Sequence, residues 1–347
     1  MDLEKGLISK RKDEHIDICL KDNVDFVKSN GFENYDFIHD ALTEVVIEDI
    51  NFETQFLGKN ISSPFLISSM TGGTERSKSI NEQLAVAANE LNIPIAVGSQ
   101  RVFLDNPQLA DTFKIVRDKA PKVPVLSNIG AAQIVTMKSI DDIKNIVETI
   151  SADGLIIHLN PLQELLQQEG EINFKGLFKK IIEIKQSFTI PIVVKEVGSG
   201  ISQSAARKLL DAGVDIIDVA GAGGTSWAAV ELQRNPSQKN SYFREWGLRT
   251  SFCVREIAKL KNEFNFTLVS SGGVHNFLDA AKSFALGADM FASAKEVLKT
   301  VNKSGADGVI NLINGWFNGI KNIMFLTGSK NINDLRKDKL RIVEELF

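Results

Sequence analysis

The segment D-G-L-I-I-H-L-N-P-L-Q-E, residues 153–164, joins a buried strand to a cluster of polar side chains. Leu155, Ile156 and Ile157 follow a glycine as a short, continuous apolar run, which favours a strand buried on both faces. Pro161 does not fit within a central strand, so we expect the strand to end before it. The polar residues at that boundary are His158, Asn160, Gln163 and Glu164. The segment therefore predicts a buried strand whose end forms part of a site.

Length, composition and charge indicate a globular cytoplasmic protein. The 347 residues are 43% apolar and 24% charged, and a single α/β barrel takes about 250 residues. The net charge of −4 gives no general reason to expect nucleic-acid or membrane binding, so locally placed cations must hold any anionic ligand. Cys19 and Cys253 are far apart in sequence, which favours a reducing cytosol over a disulfide framework. The polar N-terminus and the lack of a long apolar run predict neither a signal peptide nor a membrane span.

From residue 64 onward, eight apolar segments alternate with segments of helical periodicity. The apolar segments are 65–70, 95–99, 125–129, 154–160, 192–197, 216–221, 267–273 and 290–294. The helical segments are 81–91, 107–119, 141–150, 174–188, 204–211, 250–263, 277–286 and 309–325. This alternation favours a parallel sheet, and eight strands close into a (β/α)8 TIM barrel. An open doubly wound sheet is the competing architecture, but G-x-G-x-x-G is absent after the first strand. We therefore predict an N-terminal extension over residues 1–60 that packs on a barrel over residues 61–347.

Polar and glycine residues concentrate at the carboxyl ends of the predicted strands, where ligands bind in such barrels. Gly272 and Gly273 follow strand seven and let backbone amides approach an anion closely. The loops after strands seven and eight are the usual phosphate site of this fold. A tight strand-to-helix turn also uses glycine for purely structural reasons, but a second glycine-rich turn at 221–224 favours phosphate binding.

Two charged residues at strand ends have both a structural and a functional interpretation. Lys195 either pairs with a neighbouring carboxylate or faces an electron-rich or anionic ligand, because a lysine buried without a partner would lose its charge. Glu164 is either an ordinary acid in the first turn of a helix or a ligand of a hard cation. Its polar neighbours favour the cation, and magnesium prefers one or two carboxylates together with phosphate oxygens and water.

Other candidates are ambiguous when they are considered one at a time. His158 alone is more typical of a buried core histidine, and only the surrounding polar cluster favours a functional role. Trp227 and Trp246 fit the core and a site equally well. Arg11 and Lys12, judged from their spacing alone, are more typical of a solvated surface.

Seven motifs occur in one order along nearly the whole chain. They are R-K-D-E-H-I (11–16), S-S-M-T-G-G (68–73), V-G-S-Q-R (97–101), H-L-N-P-L-Q-E (158–164), K-E-V-G-S-G-I-S (195–202), G-A-G-G-T-S-W (221–227) and S-G-G-V (271–274). Together they closely resemble the type 2 isopentenyl diphosphate isomerases, which are flavin-dependent enzymes. Each motif is weak alone, whereas seven in register are highly specific.

The resemblance implies an FMN-bearing (β/α)8 barrel that interconverts isopentenyl and dimethylallyl diphosphate for isoprenoid precursor biosynthesis. The implied FMN-binding residues are Ser68, Met70, Thr71, Ser99, Asn128, Lys195, Thr225, Gly272, Gly273, Val274, Ala294 and Lys295. The implied substrate-binding residues are Arg11, Lys12, Ser99, Gln100, Arg101, His158, Asn160 and Gln163. Glu164 is implied as the Mg²⁺ ligand, and Gln163, Lys195 and Glu231 as catalytic residues.

The mechanism that we expect from the resemblance is a 1,3-allylic proton shift. Reduced FMN serves as acid and base, and its electron-rich ring stabilises the positive charge that develops on the substrate. Mg²⁺ holds the diphosphate, and NADPH is needed only to prime the flavin. Relatives form tetramers or octamers, so we expect a homo-oligomer.

Two positions depart from the family pattern. Ala220 stands where many relatives carry a hydroxyl residue, so one flavin contact there is expected to be missing. The end of strand eight reads F-A-S-A-K (291–295), without the glycine-arginine pair of related flavin barrels. Lys295 therefore offers a phosphate a point charge instead of a guanidinium fork.

Two other functions remain open. An FMN-dependent oxidoreductase of the hydroxy-acid oxidase or dihydroorotate dehydrogenase type uses the same barrel and needs a base near the end of strand seven, where His275 is the candidate. A non-catalytic binding module is the third possibility. Reduction of the flavin by substrate favours the oxidoreductase, and a protein that cannot bind FMN favours the binding module.

Overall fold

The computed structural model describes residues 2–20, 22–137, 139–235 and 241–343, so the last four residues of the predicted barrel domain lie outside it. Within the described residues, eight parallel strands form a closed barrel. The strands are β1 (Phe65–Ile67), β2 (Ile95–Ala96), β3 (Val125–Gly130), β4 (Gly154–Leu159), β5 (Ile192–Glu196), β6 (Ile216–Asp218), β7 (Thr267–Ser270) and β8 (Met290–Ser293). Phe291 of β8 pairs with Phe65 of β1, which closes the ring. The predicted (β/α)8 barrel is confirmed, and the open sheet is excluded.

Several strands end earlier than the apolar runs predict. β1 ends at Ile67 instead of residue 70, and β7 ends at Ser270 instead of residue 273. After β7, Gly272 and Gly273 adopt φ angles of 93° and 72°, which a strand does not allow. These residues therefore belong to the loops at the mouth of the barrel.

The helices surround the barrel and largely cover the predicted helical segments. They are α1 (Asp2–Cys19), α2 (Glu75–Leu91), α3 (Arg101–Asp105), α4 (Asp111–Lys119), α5 (Ala131–Thr136), α6 (Asp141–Thr149), α7 (Pro161–Leu166), α8 (Leu177–Ser187), α9 (Gln203–Asp211), α10 (Trp227–Arg234), α11 (Thr250–Ala258), α12 (Phe277–Ala285), α13 (Lys295–Leu326) and α14 (Ile332–Leu335). Short 3₁₀ turns lie at Asp22–Val24, Phe32–Asn34, Ile47–Asp49, Pro107–Ala110, Ser241–Glu245 and Lys259–Asn262. The predicted helix 309–325 is only the second part of α13, which bends at Gly305.

Apolar side chains cover both faces of the strands. Inside the barrel, Leu66, Leu126 and Ile156 belong to one buried cluster. Outside it, the rings of Phe65 and Phe291 lie 5.9 and 5.8 Å from that of Trp316 and pack β1 and β8 against α13. Burial on both faces explains why the strands read as continuous apolar runs instead of alternating ones.

The segment before β1 packs on both ends of the barrel. A hairpin of Thr54–Phe56 and Lys59–Ile61 lies at the amino end, where Phe56 and Ile61 join the inner apolar cluster. The strand Tyr35–Phe37 pairs with Leu340–Ile342 near the end of the chain. α1 lies at the carboxyl end, on the loops that follow β1 and β2. In the part of the chain that is described, no helix is long and apolar enough to cross a bilayer.

Candidate active site

One cavity at the carboxyl ends of the strands brings together most of the residues that the sequence singles out. The predicted site residues that line it are Arg11, Lys12, Ser68, Met70, Thr71, Ser99, Arg101, Asn128, His158, Asn160, Gln163, Glu164, Lys195, Thr225, Gly272, Gly273, Val274, Ala294 and Lys295. They come from every strand end and from α1. Gln100 and Glu231 are the predicted site residues that do not line it.

A row of polar residues crosses three neighbouring strands, and two of its members, His158 and Lys195, line the cavity. His158 of β4 pairs in register with Lys195 of β5, and Lys195 pairs with Asp218 of β6. His158 Nδ1 lies 2.7 Å from Asn128 Oδ1. Burial, together with the positive charges of Lys195 and Lys12, lowers the pKa of His158 to about 4. The imidazole is therefore neutral near pH 7 and acts as a hydrogen-bonding group.

The end of β5 is fixed by its own main chain. Lys195 is 8% exposed, and its Nζ donates to Glu196 O at 2.7 Å. The Glu196 carboxylate accepts from the amides of Val197 and Gly198 at 2.6 Å each, and from that of Ser199. Burial raises the pKa of Glu196 to about 7, although these three amides and Lys195 act in the opposite direction. This clamp holds the Lys195 side chain at the cavity.

Glu164 lies in a buried polar pocket at the start of α7. Its Oε1 accepts from Asn160 Nδ2 at 3.0 Å, and its Oε2 accepts from the amide of Glu171 at 2.8 Å. Among the described residues, no three His, Cys, Asp or Glu side chains lie close enough together to hold a metal ion. A cation here therefore needs oxygens from a ligand and from water besides Glu164, which is the coordination that Mg²⁺ prefers with phosphates.

Glu231 lies behind Gln163 and forms the centre of a buried hydrogen-bond network. Its carboxylate accepts from Gln163 Nε2 at 3.3 Å and from Arg234 Nη1 at 2.7 Å, and it lies 3.0 Å from His15 Nε2. Burial acts to raise the pKa of Glu231, but the bonds from His15 and Arg234 outweigh it and hold the pKa below its usual range. Neither His15 nor Arg234 is among the site residues predicted from the sequence. The sequence does indicate one property of His15: it lies four residues after Arg11, a spacing that places both side chains on the same face of α1.

Three cationic side chains converge on the mouth of the cavity. Lys12 Nζ donates to Ser99 O at 3.1 Å and to Gly72 O, and burial followed by the charge of Arg11 lowers its pKa to about 7. Burial and the charge of Arg234 also lower the pKa of Arg11. Arg101 pairs with Glu171 at 3.0 Å. Burial therefore destabilises the charged forms of Arg11 and Lys12, and a bound anion would stabilise them.

The glycine turn after β7 leaves no room for side chains. A Cβ on Gly272 would overlap the backbone of Gly221, and one on Gly273 would overlap that of Gly223. The two glycine-rich turns therefore lie against each other, and backbone amides border the cavity there. Lys295 begins α13 beside this turn, and its Nζ lies 2.5 Å from Asp25 Oδ1. This donor set suits a phosphate.

Unused polar atoms also point to a bound ligand. Ser69 Oγ and Asn160 Oδ1 are buried and, among the described residues, have no hydrogen-bond partner. Both residues line the cavity. Because buried polar groups are nearly always paired, these atoms indicate a polar ligand that completes the site. Together with the glycine cradle, they fit a flavin phosphate and ring system.

Gln100 does not fit its predicted role in substrate binding. Its side chain is fully buried, donates from Nε2 to Ile146 O and accepts from the amide of Asn128, both at 3.0 Å. Its neighbours Ser99 and Arg101 face the cavity. The backbone turn at the start of α3 directs Gln100 toward α6 instead, where it links two backbone segments.

The ambiguous aromatic and histidine candidates have different surroundings. Trp227 lines the cavity, with its ring 5.0 Å from that of His15. Trp246 is 61% exposed, so its interpretation as a core residue is wrong. His275 lies at the edge of the cavity, 3.0 Å from Gly223 O and 3.3 Å from Glu296 Oε1. The bond to Glu296 raises the pKa of His275. Ala220 lines the cavity with a methyl group and contributes no hydroxyl.

Known proteins resemble the chain in sequence and in fold. Residues 160–342 match the family described as FMN-dependent dehydrogenase. An isopentenyl-diphosphate delta-isomerase of Pelodictyon phaeoclathratiforme is 42% identical over 96% of both chains. Proteins of the same name are 43% identical in Pseudescherichia vulneris, over 97% of both chains, and 39% identical in Pyrococcus horikoshii, over 98% of this chain and 94% of that one.

Solved structures resemble the chain at the level of fold. The recombinant flavin-binding domain of baker's yeast flavocytochrome b2 superposes with a TM-score of 0.68 at 18% identity, over 93% of this chain and 80% of that one. A mandelate oxidase variant with the monooxide FMN adduct gives 0.63 at 16% identity, over 91% and 90%. At such identities these structures show a shared barrel and nothing more specific.

Proposed function

Because the chain belongs to the FMN-dependent isopentenyl-diphosphate delta-isomerases, we propose that it interconverts isopentenyl diphosphate and dimethylallyl diphosphate. The reaction moves one double bond by a 1,3-allylic proton shift, in which one carbon gains a proton and another loses one. No net oxidation or reduction occurs. The observation that supports the proposal most is the single cavity that combines a glycine cradle, three cations and a buried carboxylate.

The residues around the glycine cradle are suited to hold FMN. We assign the flavin phosphate to the turn 272–274 and to Lys295, and the ring to Lys195 and to residues 68–71. When bound in its reduced form, the flavin supplies an electron-rich ring and the groups that donate and accept the proton. NADPH is needed only to reduce the flavin beforehand, because the isomerisation consumes no electrons.

The diphosphate is assigned to the cations at the mouth of the cavity. Arg11 and Lys12 from α1, together with Arg101, supply the positive charges, and the low pKa values of Arg11 and Lys12 indicate that a bound anion would stabilise both. Glu164 is assigned to Mg²⁺, with its two oxygens already oriented by Asn160 and by the amide of Glu171. Fixing the diphosphate in this way positions the alkene for proton transfer.

Gln163 and Glu231 are assigned to proton positioning. An amide is too weak a base to act alone. Glu231 is ionised near neutral pH, because the bonds from His15 and Arg234 outweigh the effect of burial on its pKa. It accepts from Gln163 Nε2, and so it fixes the orientation in which the Gln163 amide faces the substrate.

The oxidoreductase alternative depends on His275 as a general base. Its ring nitrogens lie within hydrogen-bonding distance of Gly223 O and Glu296 Oε1, and the bond to Glu296 favours the protonated form. Both ring nitrogens therefore already have partners within the protein, and neither is directed at a substrate. This arrangement favours the isomerase.

The direct test is an assay of the purified full-length protein with isopentenyl diphosphate. We expect dimethylallyl diphosphate to form with FMN, NADPH and Mg²⁺ together, and activity to be lost when FMN or Mg²⁺ is omitted. Omission of NADPH should abolish activity unless dithionite has reduced the flavin first. Lys195→Ala should lower flavin content. Isomerisation that persists without flavin would contradict the proposal.

A further inference from the structure

The N-terminal arm consists of α1 and the strip of residues 22–30 that follows it. The strip is attached to the glycine-rich turn that follows β6. The amide of Phe26 donates to Gly224 O at 2.9 Å, and the amide of Ser226 donates to Val24 O at 2.8 Å. Between these two bonds, Asp25 forms an antiparallel bridge with Thr225. Thr225 and Gly224 line the cavity. The arm that carries Arg11 and Lys12 is therefore anchored directly on the wall of the flavin site.

The side chain of Asp25 reaches the residue that we assign to the flavin phosphate. Its Oδ1 lies 2.5 Å from Lys295 Nζ, and the Lys295 side chain is only 8% exposed. A second contact strengthens the attachment, because Asn30 Nδ2 donates to Gly273 O at 2.5 Å and to Asp279 Oδ2 at 3.0 Å. A carboxylate of the arm thus occupies the neighbourhood of the cation that a phosphate needs.

From this geometry we propose that Asp25 competes with the flavin phosphate for Lys295 and so couples cofactor loading to docking of the N-terminal arm. A carboxylate and a phosphate that share one lysine repel each other, and because Lys295 is buried while Asp25 is 30% exposed, water screens this repulsion only in part. Coupling between two binding events is reciprocal, so a docked arm weakens phosphate binding and a bound phosphate weakens arm docking. The proposal rests on the assignment of Lys295 to the flavin phosphate, not on the isomerisation.

Riboflavin separates the phosphate effect from binding of the ring, because it lacks the phosphate. We would titrate the full-length apoprotein with FMN and with riboflavin and follow quenching of flavin fluorescence. Asp25→Asn removes the charge and keeps the shape. We expect it to tighten FMN binding on the order of tenfold and to leave riboflavin binding unchanged. Asp25→Ser should give the same result.

Asp17→Asn is the matched control. Asp17 lies on the same arm and pairs with Arg76 at 2.6 Å, in an exposed ion pair that involves no cavity-lining residue. This variant should bind FMN and riboflavin like the unmodified protein. If Asp25→Asn weakens FMN, or shifts FMN and riboflavin equally, Asp25 positions Lys295 or the loop and the proposed competition is wrong.

Lys295→Ala tests the underlying assignment separately. It should reduce the preference for FMN over riboflavin, and an unchanged preference would remove Lys295 from the phosphate site.

Hydrogen exchange at the Phe26 amide tests the coupling, since this amide reports whether the strip is docked. It should exchange faster with FMN bound than with riboflavin bound, and this difference should vanish in Asp25→Asn. Equal exchange in the two complexes of the unmodified protein would overturn the coupling. Because none of these experiments measures isomerisation, their outcomes are independent of the proposed function.

Discussion

At the scale of single residues, burial controls the charge of Lys12. Its pKa falls from an ordinary 10.5 to about 7, mainly through desolvation. The cation is therefore present at pH 6, half lost near pH 7 and largely neutral at pH 9. A diphosphate raises this pKa again, so binding above pH 7 requires uptake of a proton.

The affinity for inorganic pyrophosphate should consequently fall as the pH rises from 6 to 9, by up to about tenfold per unit above pH 7 from Lys12 alone. Pyrophosphate also changes its own protonation between pH 6 and 9. Lys12→Arg stays charged throughout this range, so its affinities show how much of the pH dependence comes from pyrophosphate alone. Calorimetric titrations of both proteins check the difference. Identical slopes would mean that Lys12 does not titrate in this range.

Glu164 should determine the magnesium requirement. Replacing it with Gln keeps the size of the side chain but removes the charge, so the half-saturating Mg²⁺ concentration should rise about tenfold or more. Glu263→Gln is the control, because Glu263 forms an exposed ion pair with Arg207 and neither residue lines the cavity. Initial rates measured over a Mg²⁺ series check the prediction. An unchanged requirement in Glu164→Gln would place the ion elsewhere.

Most residues that the sequence singles out by their chemical type line one cavity, but the sequence does not predict the direction in which the backbone points each side chain. Ser99, Gln100 and Arg101 are three consecutive polar residues, yet only the first and third face the cavity. The backbone turn into α3 sets this direction, and the polarity of the residues does not predict it.

At the scale of elements, the turn after β7 is the most restrictive feature of the site. Gly272→Ala would combine a positive φ with backbone overlap, so it should lower flavin content and cost about 1–3 kcal/mol of stability. Gly176 has a similar φ of 88°, but a Cβ there meets nothing within 4 Å. Gly176→Ala should therefore cost about 1 kcal/mol and keep normal flavin content.

Flavin absorbance per protein and urea denaturation of both variants check this prediction. Normal flavin content in Gly272→Ala would show that the turn is not the phosphate cradle. The apolar run in the sequence predicts that β7 exists. It does not predict that β7 ends at Ser270, because that end depends on the backbone conformation of the glycines that follow.

At the scale of the whole molecule, an aromatic layer outside the barrel packs on β1 and β8, the two strands whose pairing closes the ring. Trp316 of α13 is 5% exposed and packs on both strands. Trp316→Ala should cost about 3–5 kcal/mol. Trp246→Ala removes an exposed ring and should change stability by about 0.5 kcal/mol or less. Thermal and urea denaturation check both values, and equal effects would contradict this account of closure.

The barrel could be predicted because strand–helix alternation is local and repeats eight times. The docking of the N-terminal arm could not, since residues 22–30 have no periodic pattern and their partners lie about 200 residues away, at Gly224 and beyond. Those contacts exist only once the barrel has brought its loops together. The arm is nevertheless what completes the mouth of the cavity, with Arg11, Lys12 and His15.

The most direct test of the proposed isomerase activity is to follow isopentenyl diphosphate by NMR under anaerobic conditions, with the flavin reduced beforehand and its absorbance recorded in the same sample. We expect many turnovers to dimethylallyl diphosphate while the flavin stays reduced and no further reductant is consumed. Flavin oxidation in step with the substrate, or no isomerisation by the fully loaded protein, would contradict it.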